Sequence, residues 1–192
     1  NFLTTIGNLV LKALFRPQCP PIHDFTINQI FQFDDRINQF WDRISDRYQI
    51  LVVRDKEYLN WRYAFPDVHY SIYTIEKSEQ IHGYLVLRNI QREDANICRI
   101  FDLVAQSEEA LQLLAWQVIQ YCTQENADLI WYNMIADKMH WRVLRKSGFI
   151  YIPSMFRGGG RFCAYSSSPY IPQAFLENPK NWFVQTGDSD VV

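Results

Sequence analysis

Apolar residues recur with a helical period in two segments near the start of the chain. The spacing predicts one amphipathic helix over Phe2–Phe15, which stops before Pro17, and a Pro-rich connector after it. It predicts a second helix that begins at Asp34 or Asp35. The apolar stripe of this second helix consists of Ile37, Phe40, Trp41, Ile44 and Tyr48. We therefore expect residues 1–47 to form an N-terminal helical appendage.

After residue 48 the apolar period shortens to two, which is typical of β-strands. The predicted strands are Gln49–Arg54, His69–Glu76, Ile81–Asn89 and Ile97–Ala105. The clearest helix of the chain follows, from Ser107, which is placed to cap it, to about Gln124. Asp128–Ile135 is an almost wholly apolar strand, of the kind that lies inside a covered sheet.

A shorter helix, Asp137–Ser147, and a strand pair complete the order. The strands of this pair are Phe149–Ile152 and Phe162–Ser167. The order predicts an α/β (α+β) domain over residues 48–167, with a mixed, mostly antiparallel sheet and helices on both faces, and a C-terminal extension over 168–192. We expect Ile97–Ala105 and Asp128–Ile135 to be parallel neighbours because one helix joins them in a right-handed crossover.

Composition and charge narrow the classes of function. Of the 192 residues 48% are hydrophobic, which excludes a disordered chain, and 19 basic against 21 acidic residues give no positive field for nucleic acid. The apolar runs are too short to insert into a membrane. The four cysteines form no C-x-x-C pair and the four histidines lack ligand spacing, so we expect a reducing, cytoplasmic setting and no metal site.

The run Leu144–Phe149, which ends in Gly-Phe after a predicted helix, resembles a motif of the GNAT N-acetyltransferase family, as does the order of elements before it. Segments Arg54–Tyr63 and Trp182–Asp190 resemble a bacterial subgroup in which a larger protein carries two GNAT-like halves, and this chain is similar to the second half. The resemblance implies acyl transfer from acetyl-CoA or another acyl-CoA to an amine of a small molecule or a cell-surface sugar precursor. It also implies a partner, the missing N-terminal half of the same protein.

The family holds the donor's pyrophosphate on backbone N–H groups at a glycine-rich helix start, and Gln106 and Ser107 match this place. In this chain Glu108 and Glu109 follow them, and no glycine occurs in this stretch. Leu144 stands where the family has a Tyr whose hydroxyl acts as the acid for the leaving thiolate. Two functions stay open: an acyltransferase, or a non-catalytic GNAT-like module that binds substrate or supports a catalytic first half. An unrelated α/β binding domain is a third.

Asp102 is the candidate catalytic residue. Strand alternation places it on the same face as Ile100 and Val104, where a partly buried carboxylate with a raised pKa could take the proton of an amine. The alternative is a carboxylate that pairs with a nearby Arg or caps a turn. The tail acids Asp188 and Asp190 could reach an amino sugar or a cation, or lie in an exposed C-terminal turn.

Four further residues are candidates for substrate binding. Trp61 and Arg62 could stack on a sugar or hold a carboxylate, or form a packing corner. Arg157 and Arg161 flank Gly158–Gly160, which could form an anion nest or a plain hairpin connection.

Overall fold

The computed structural model describes residues 20–21, 24–64, 68–135, 137–152 and 164–189. The helix predicted over 2–15 and the glycine-containing loop predicted over 157–161 lie outside these residues. The predicted domain boundaries therefore stay predictions.

Among the described residues, eight strands form two sheets. In chain order they are β1 (Thr26–Ile30), β2 (Ile50–Leu51), β3 (Ser71–Lys77), β4 (Gln80–Gln91), β5 (Asn96–Ala105), β6 (Leu129–Tyr132), β7 (Met134–Ile135) and β8 (Trp182–Gln185). The larger sheet has the order β1-β3-β4-β5-β6, and its neighbours are antiparallel except for the last pair. In the smaller sheet β8 lies between β2, to which it is parallel, and β7, to which it is antiparallel.

The described α-helices are α1 (Arg36–Ile44), α2 (Lys56–Tyr63), α3 (Glu108–Gln124), α4 (Lys138–Lys146) and α5 (Gln173–Glu177). Side-chain oxygens of Asp55, Ser107 and Asp137 accept the backbone N–H three residues on, at 2.8, 3.2 and 2.8 Å. These bonds cap α2, α3 and α4 and satisfy donors that a helix start leaves unpaired. In the part of the chain described, no helix is both long and apolar enough to span a bilayer.

The predicted crossover is confirmed. Ile97–Ile100 of β5 pair in parallel with Leu129–Tyr132 of β6, and α3 joins the two strands. The fold class is confirmed as well, because the larger sheet is mostly antiparallel and helices cover both of its faces.

Two apolar clusters hold the helices against the sheet. On one face α3 buries the residues that the sequence predicted, Leu111, Leu114, Ala115, Val118 and Cys122, against β3, β4 and β5. On the other face α1 buries its predicted stripe, Ile37, Phe40, Trp41 and Ile44, together with Tyr84 and Phe101 of the sheet. We call these the α3 face and the α1 face. Each fully buried Leu, Ile or Phe contributes about 1.5–3 kcal/mol of transfer free energy.

The strand predicted over Gln49–Arg54 is wrong in extent and in place. Only β2 is a strand there, and it pairs with β8 rather than joining the larger sheet. The apolar side chain of Val53 is 55% exposed, while Arg54 turns inward and Asp55 begins a helix. The run of apolar residues therefore does not form one extended strand.

The strand pair predicted after α4 is also wrong where it can be compared. Residues 149–152 and 164–167 form no strand, and the side chains of Ile150 and Tyr151 are 79% and 60% exposed. The edge of β7 is instead occupied by β8, which comes from the predicted C-terminal extension. Four of the elements described were not predicted: β1, which has only two apolar residues, α2, α5 and β8.

Gly83 lies where β4 passes under α3. A Cβ at this position would lie 2.9 Å from the carbonyl oxygen of Val104 and 3.0 Å from Cδ1 of Leu114. The strands and the helix therefore approach as closely as they do only because this residue has no side chain.

We expect Gly83→Ala to lower the free energy of unfolding by about 1–3 kcal/mol, because β4, β5 and α3 must move apart to accept a methyl group. Urea unfolding measures the change. Glu93→Ala, in the exposed loop between β4 and β5, is the matched control and should change stability by no more than about 0.5 kcal/mol. Equal stability of Gly83→Ala and the wild type would contradict the close packing.

Candidate functional site

The parallel strands β5 and β6 separate partway along their length. Their ladder ends at Ile100 and Tyr132, although β5 continues to Ala105. After Asn133 the chain that continues β6 leaves the larger sheet, and Met134–Ile135 pair with β8. The apolar stretch predicted as one strand over 128–135 is therefore two strands, with a gap beside the second half of β5. We call this gap the strand split.

A β-bulge lies on β5 beside the strand split. Val86 of β4 stands opposite Asp102, whereas the next residue, Leu87, stands opposite Ile100, so that Phe101 is an extra residue. Because the bulge shifts the alternation, Ile100 packs on the α3 face while Phe101 and Asp102 both face α1. The prediction that Asp102 shares a face with Ile100 was wrong for this reason.

Asp102 is 1% exposed and each of its carboxylate oxygens has a partner. The guanidinium of Arg54 donates to Oδ1 at 3.2 Å, and the hydroxyls of Tyr63 and Tyr84 donate to Oδ2 at 2.8 and 3.3 Å. Burial raises the pKa of Asp102, a rise that Arg54 reduces and the neighbouring carboxylate of Asp188 enlarges. The carboxylate of Asp102 is thus paired with an arginine, which is the alternative considered from the sequence. A role of Asp102 as proton acceptor stays a prediction.

The same guanidinium binds the C-terminal turn. Arg54 is 0% exposed and donates through Nη2 to both oxygens of Asp188, at 2.9 and 2.7 Å. Arg62 also binds this turn, with its Nε donating to the carbonyl of Gly187 at 2.9 Å and its Nη2 to that of Ser189 at 2.6 Å. The side chain of Asp188 is only 5% exposed, so the turn is not the exposed one that was considered from the sequence.

Gln185 of β8 reaches into the strand split. Its Oε1 accepts the backbone N–H of Leu103 at 2.6 Å, and its Nε2 donates to the carbonyl of the same residue at 3.2 Å. The hydroxyl of Tyr132 donates to the same Oε1 at 2.6 Å. Gln185 is 2% exposed, so its amide replaces the strand partner that β5 has lost.

A second set of polar side chains closes the split from the side of α4. Nε2 of His140 lies 3.0 Å from the carbonyl oxygen of Leu103, and Nδ1 lies 2.9 Å from Oδ1 of Asp137. The hydroxyl of Tyr48 donates to Oδ2 of Asp137 at 2.7 Å. Burial alone would raise the pKa of Asp137, but the hydrogen bonds from His140 and Tyr48 outweigh it and hold this pKa well below its usual range.

The start of α3 adjoins the split and is occupied by side chains. Ser107 caps the helix, and the carboxylate of Glu108 forms ion pairs with Arg142 and with Lys146, which belong to α4. The hydrogen bond from Arg142 lowers the pKa of Glu108. Oε1 of Gln106 is buried and has no hydrogen-bond partner in the ranges described. Ion pairs thus join α3 to α4 where the two helix surfaces meet.

Of the four candidates for substrate binding, the structure describes Trp61 and Arg62. Trp61 is 69% exposed, whereas the guanidinium of Arg62 is used on the C-terminal turn. Arg157 and Arg161 lie outside the described residues. In the ranges that the structure describes, no three His, Cys, Asp or Glu side chains are grouped so that they could hold a metal ion.

Sequence reasoning missed the roles of Gln185, His140 and Tyr48. One signal was available: the alternation in Trp182–Gln185 is typical of a strand and could have placed Gln185 on an inward face. The contacts of His140 with Leu103 and of Tyr48 with Asp137 gave no such signal, since these residues are 37 and 89 positions apart along the chain.

Comparison with known proteins identifies the fold. No protein-family model and no curated protein matches the chain. Among solved structures it is similar to a probable acetyltransferase, with a TM-score of 0.55 and 12% identity over 73% of this chain and 99% of that one. It is also similar to glucosamine-6-phosphate N-acetyltransferase from Arabidopsis thaliana, with a TM-score of 0.51 and 13% identity over 74% of this chain and 99% of that one. A GNAT family acetyltransferase from Staphylococcus aureus gives a TM-score of 0.50 and 15% identity over 73% and 100%.

These comparisons confirm that the chain has the GNAT fold, as the resemblance implied. The GNAT resemblance implies a coenzyme A thioester as acyl donor, but the residues present do not fit that group. Carboxylates occupy the first turn of α3, ion pairs join α3 to α4, and the backbone groups of Leu103 are already bonded. A pyrophosphate near Glu108 and Glu109 would meet two like charges at the end of the helix that should attract it.

We expect Gln185→Ala to lower the free energy of unfolding by about 2–4 kcal/mol, because it leaves the buried N–H of Leu103 unpaired and removes a donor from its carbonyl. Chemical denaturation measures the loss. Gln124→Ala, at the exposed end of α3, is the control and should stay within about 0.5 kcal/mol of the wild type. A similar small effect for both variants would mean that the amide contributes nothing to closing the split.

The lowered pKa of Asp137 gives a pH dependence of stability. A carboxyl group with a lower pKa in the folded than in the unfolded state contributes its full stabilisation above 3.8, its ordinary value, and loses it as the pH falls through the folded-state pKa. We expect the wild type to lose stability between about pH 5 and about pH 2 more steeply than Asp137→Asn.

Unfolding free energies measured across this range test the expectation. Asn is a good helix cap, so the substitution changes the charge and leaves a hydrogen-bonding side chain at the start of α4. Parallel pH profiles for the two proteins would show that the charge of Asp137 is not linked to folding.

Proposed function

We propose that this chain is a GNAT-fold module of an acyltransferase-like protein that acts on an amine of a small molecule or an amino sugar, and that the module itself does not bind the acyl donor. In this proposal it supports a catalytic domain of the same protein, in keeping with the resemblance to the second of two GNAT-like halves. Acyl transfer as the general activity is supported by the similar solved structures, which are acetyltransferases. One of them is, by its name, an amino-sugar acetyltransferase.

The observation that carries the proposal is the pair of hydrogen bonds between Gln185 and Leu103. A ligand that entered the strand split would have to remove this buried amide and break both bonds, at 2.6 and 3.2 Å, as well as the contact with His140. These losses would weaken binding of the acyl donor by several kilocalories per mole, because each buried polar group left without a hydrogen bond costs about 1–3 kcal/mol.

A second candidate function is acyl transfer by this chain itself. It is favoured by the strand split, which lies beside the start of α3. The GNAT resemblance implies that a thioester enters the fold at this place. In that case Gln106 and Ser107 would contact the donor, and Asp102 would accept the proton of the amine. For this, the carboxylate of Asp102 would first have to release the guanidinium of Arg54 and contact the substrate instead.

Calorimetric titration with acetyl-CoA separates the two functions. We expect no saturable heat up to about 1 mM acetyl-CoA, because two or three missing charge-assisted hydrogen bonds move a micromolar site to millimolar or weaker. Gln106→Ala should behave as the wild type does, and Gln124→Ala serves as the control. A dissociation constant in the low micromolar range that Gln106→Ala abolishes would overturn the donor-free proposal and establish this chain as a donor-binding domain.

A further inference from the structure

Two arginines stand directly opposite each other on the α1 face of the larger sheet. Arg88 of β4 and Arg99 of β5 are partners in the strand register, and they lie beyond the bulge, outside the cover of α1. Paired residues of adjacent strands project from the same face, so the two guanidinium groups are neighbours. Like charges in this arrangement repel, and a sheet gains nothing from them unless an anion lies between them.

Neither arginine has an anionic partner among the residues that the structure describes. Among the described residues no carboxylate forms an ion pair with Arg88, Arg92 or Arg99. Nη1 of Arg88 and Nε of Arg99 are buried and donate no hydrogen bond within the described part of the chain. A buried donor without an acceptor costs about 1–3 kcal/mol, so two such atoms on paired residues need an explanation.

A third positive charge lies close to this pair. Arg92, in the loop that joins β4 to β5, is exposed. Burial lowers the pKa of Arg99, and Arg92 and Arg88 lower it further, as expected where three positive charges face one another without a counter-charge.

The side chains around the pair hold it in place. The guanidinium carbon of Arg88 lies 5.9 Å from the ring centroid of Tyr70, and that ring is itself fixed by edge contacts with Tyr63 and Phe101 at 5.1 and 5.0 Å. Trp131 of β6 stands opposite Arg99 in the register and borders the pair on its other side. Guanidinium groups held in this way lose little conformational freedom when they bind an anion.

We propose that Arg88, Arg92 and Arg99 form a binding site for the phosphate group of a small ligand. Phosphate matches the site better than a carboxylate does, because its two charges and three terminal oxygens can accept from several guanidinium donors at once. A nucleic acid does not match, because the chain as a whole carries a net charge of −2 and gives no extended positive field. Arg88 and Arg99 lie on the paired part of β4 and β5, and the proposal does not depend on the proposed function.

Thermal unfolding with inorganic phosphate as the probe tests the site. Sodium phosphate should raise the Tm of the wild type when it replaces sodium chloride at constant ionic strength, and sodium acetate should not. Arg88→Gln and Arg99→Gln should each weaken phosphate binding by about tenfold to hundredfold, which corresponds to the loss of one charge-assisted hydrogen bond. Arg145→Gln, on the exposed surface of α4, is the matched control and should bind phosphate as the wild type does.

A second measurement distinguishes a loss of phosphate binding from poor folding of the variant. In phosphate-free chloride buffer, Arg99→Gln should be at least as stable as the wild type, because it relieves the repulsion between Arg88 and Arg99. Arg99→Lys keeps the charge but lacks the Nε donor, and it should bind phosphate more weakly than the wild type. A wild-type Tm that does not respond to phosphate, an equal response to acetate, or an equal loss in Arg145→Gln would overturn the proposal.

Discussion

The buried guanidinium of Arg54 is the group on which the remaining structure depends. It is fully enclosed, with Phe183 at 5.0 Å and Trp41 at 5.9 Å over its carbon, and it lies between the carboxylates of Asp102 and Asp188. A charge that has left water is tolerated only when partners replace the water, and removal of one partner from such a group is strongly destabilising. The guanidinium therefore fixes three parts of the chain together: α1, the bulged strand β5 and the C-terminal turn.

Arg54 binds both β5 and the C-terminal turn, and this shared cation determines the course of the chain near the strand split. The bulge turns Asp102 towards Arg54, and Asp188 brings β8 against β7. In that position Gln185 meets Leu103, and the part of β5 that has no strand partner is satisfied by a side chain. A GNAT fold with this arrangement keeps the divergence of its strands but fills it with its own residues. The GNAT fold alone therefore does not determine which reaction, if any, takes place at the strand split of this chain.

Local patterns explain which parts of the fold could be predicted. The stripes of α1 and α3 and the apolar strands β3, β4 and β5 are determined by residues close in sequence, and the handedness of crossovers fixed the parallel pair. The partner of β7 could not be read in this way, because residues 149–152 and β8 both offer a short apolar run and pairing is settled by contacts distant in sequence. The face of Asp102 could not be read either, since a single inserted residue reverses the alternation.

The candidate site was predicted less well than the fold for the same physical reason. Asp102 was identified, and pairing with an arginine was one of its two interpretations, but neither Arg54 nor Asp188 carried a local sign that it is its neighbour. Polar side chains that satisfy one another over 48 and 134 residues leave no periodicity behind. Their buried positions become visible only when the strands that carry them have been placed.

The position of Asp188 also has a consequence for the order in which the protein can fold. The residue that completes the environment of Arg54 follows it by 134 positions, and Gln185 follows Leu103 by 82. On the ribosome the central strands are made well before these partners, so Arg54 has both of its carboxylate partners only after β8 and the turn that follows it have been made. Contacts of such long sequence separation form slowly, because the loop between them has to be closed first. The full burial of Arg54 between its two carboxylates therefore depends on a contact between distant parts of the chain.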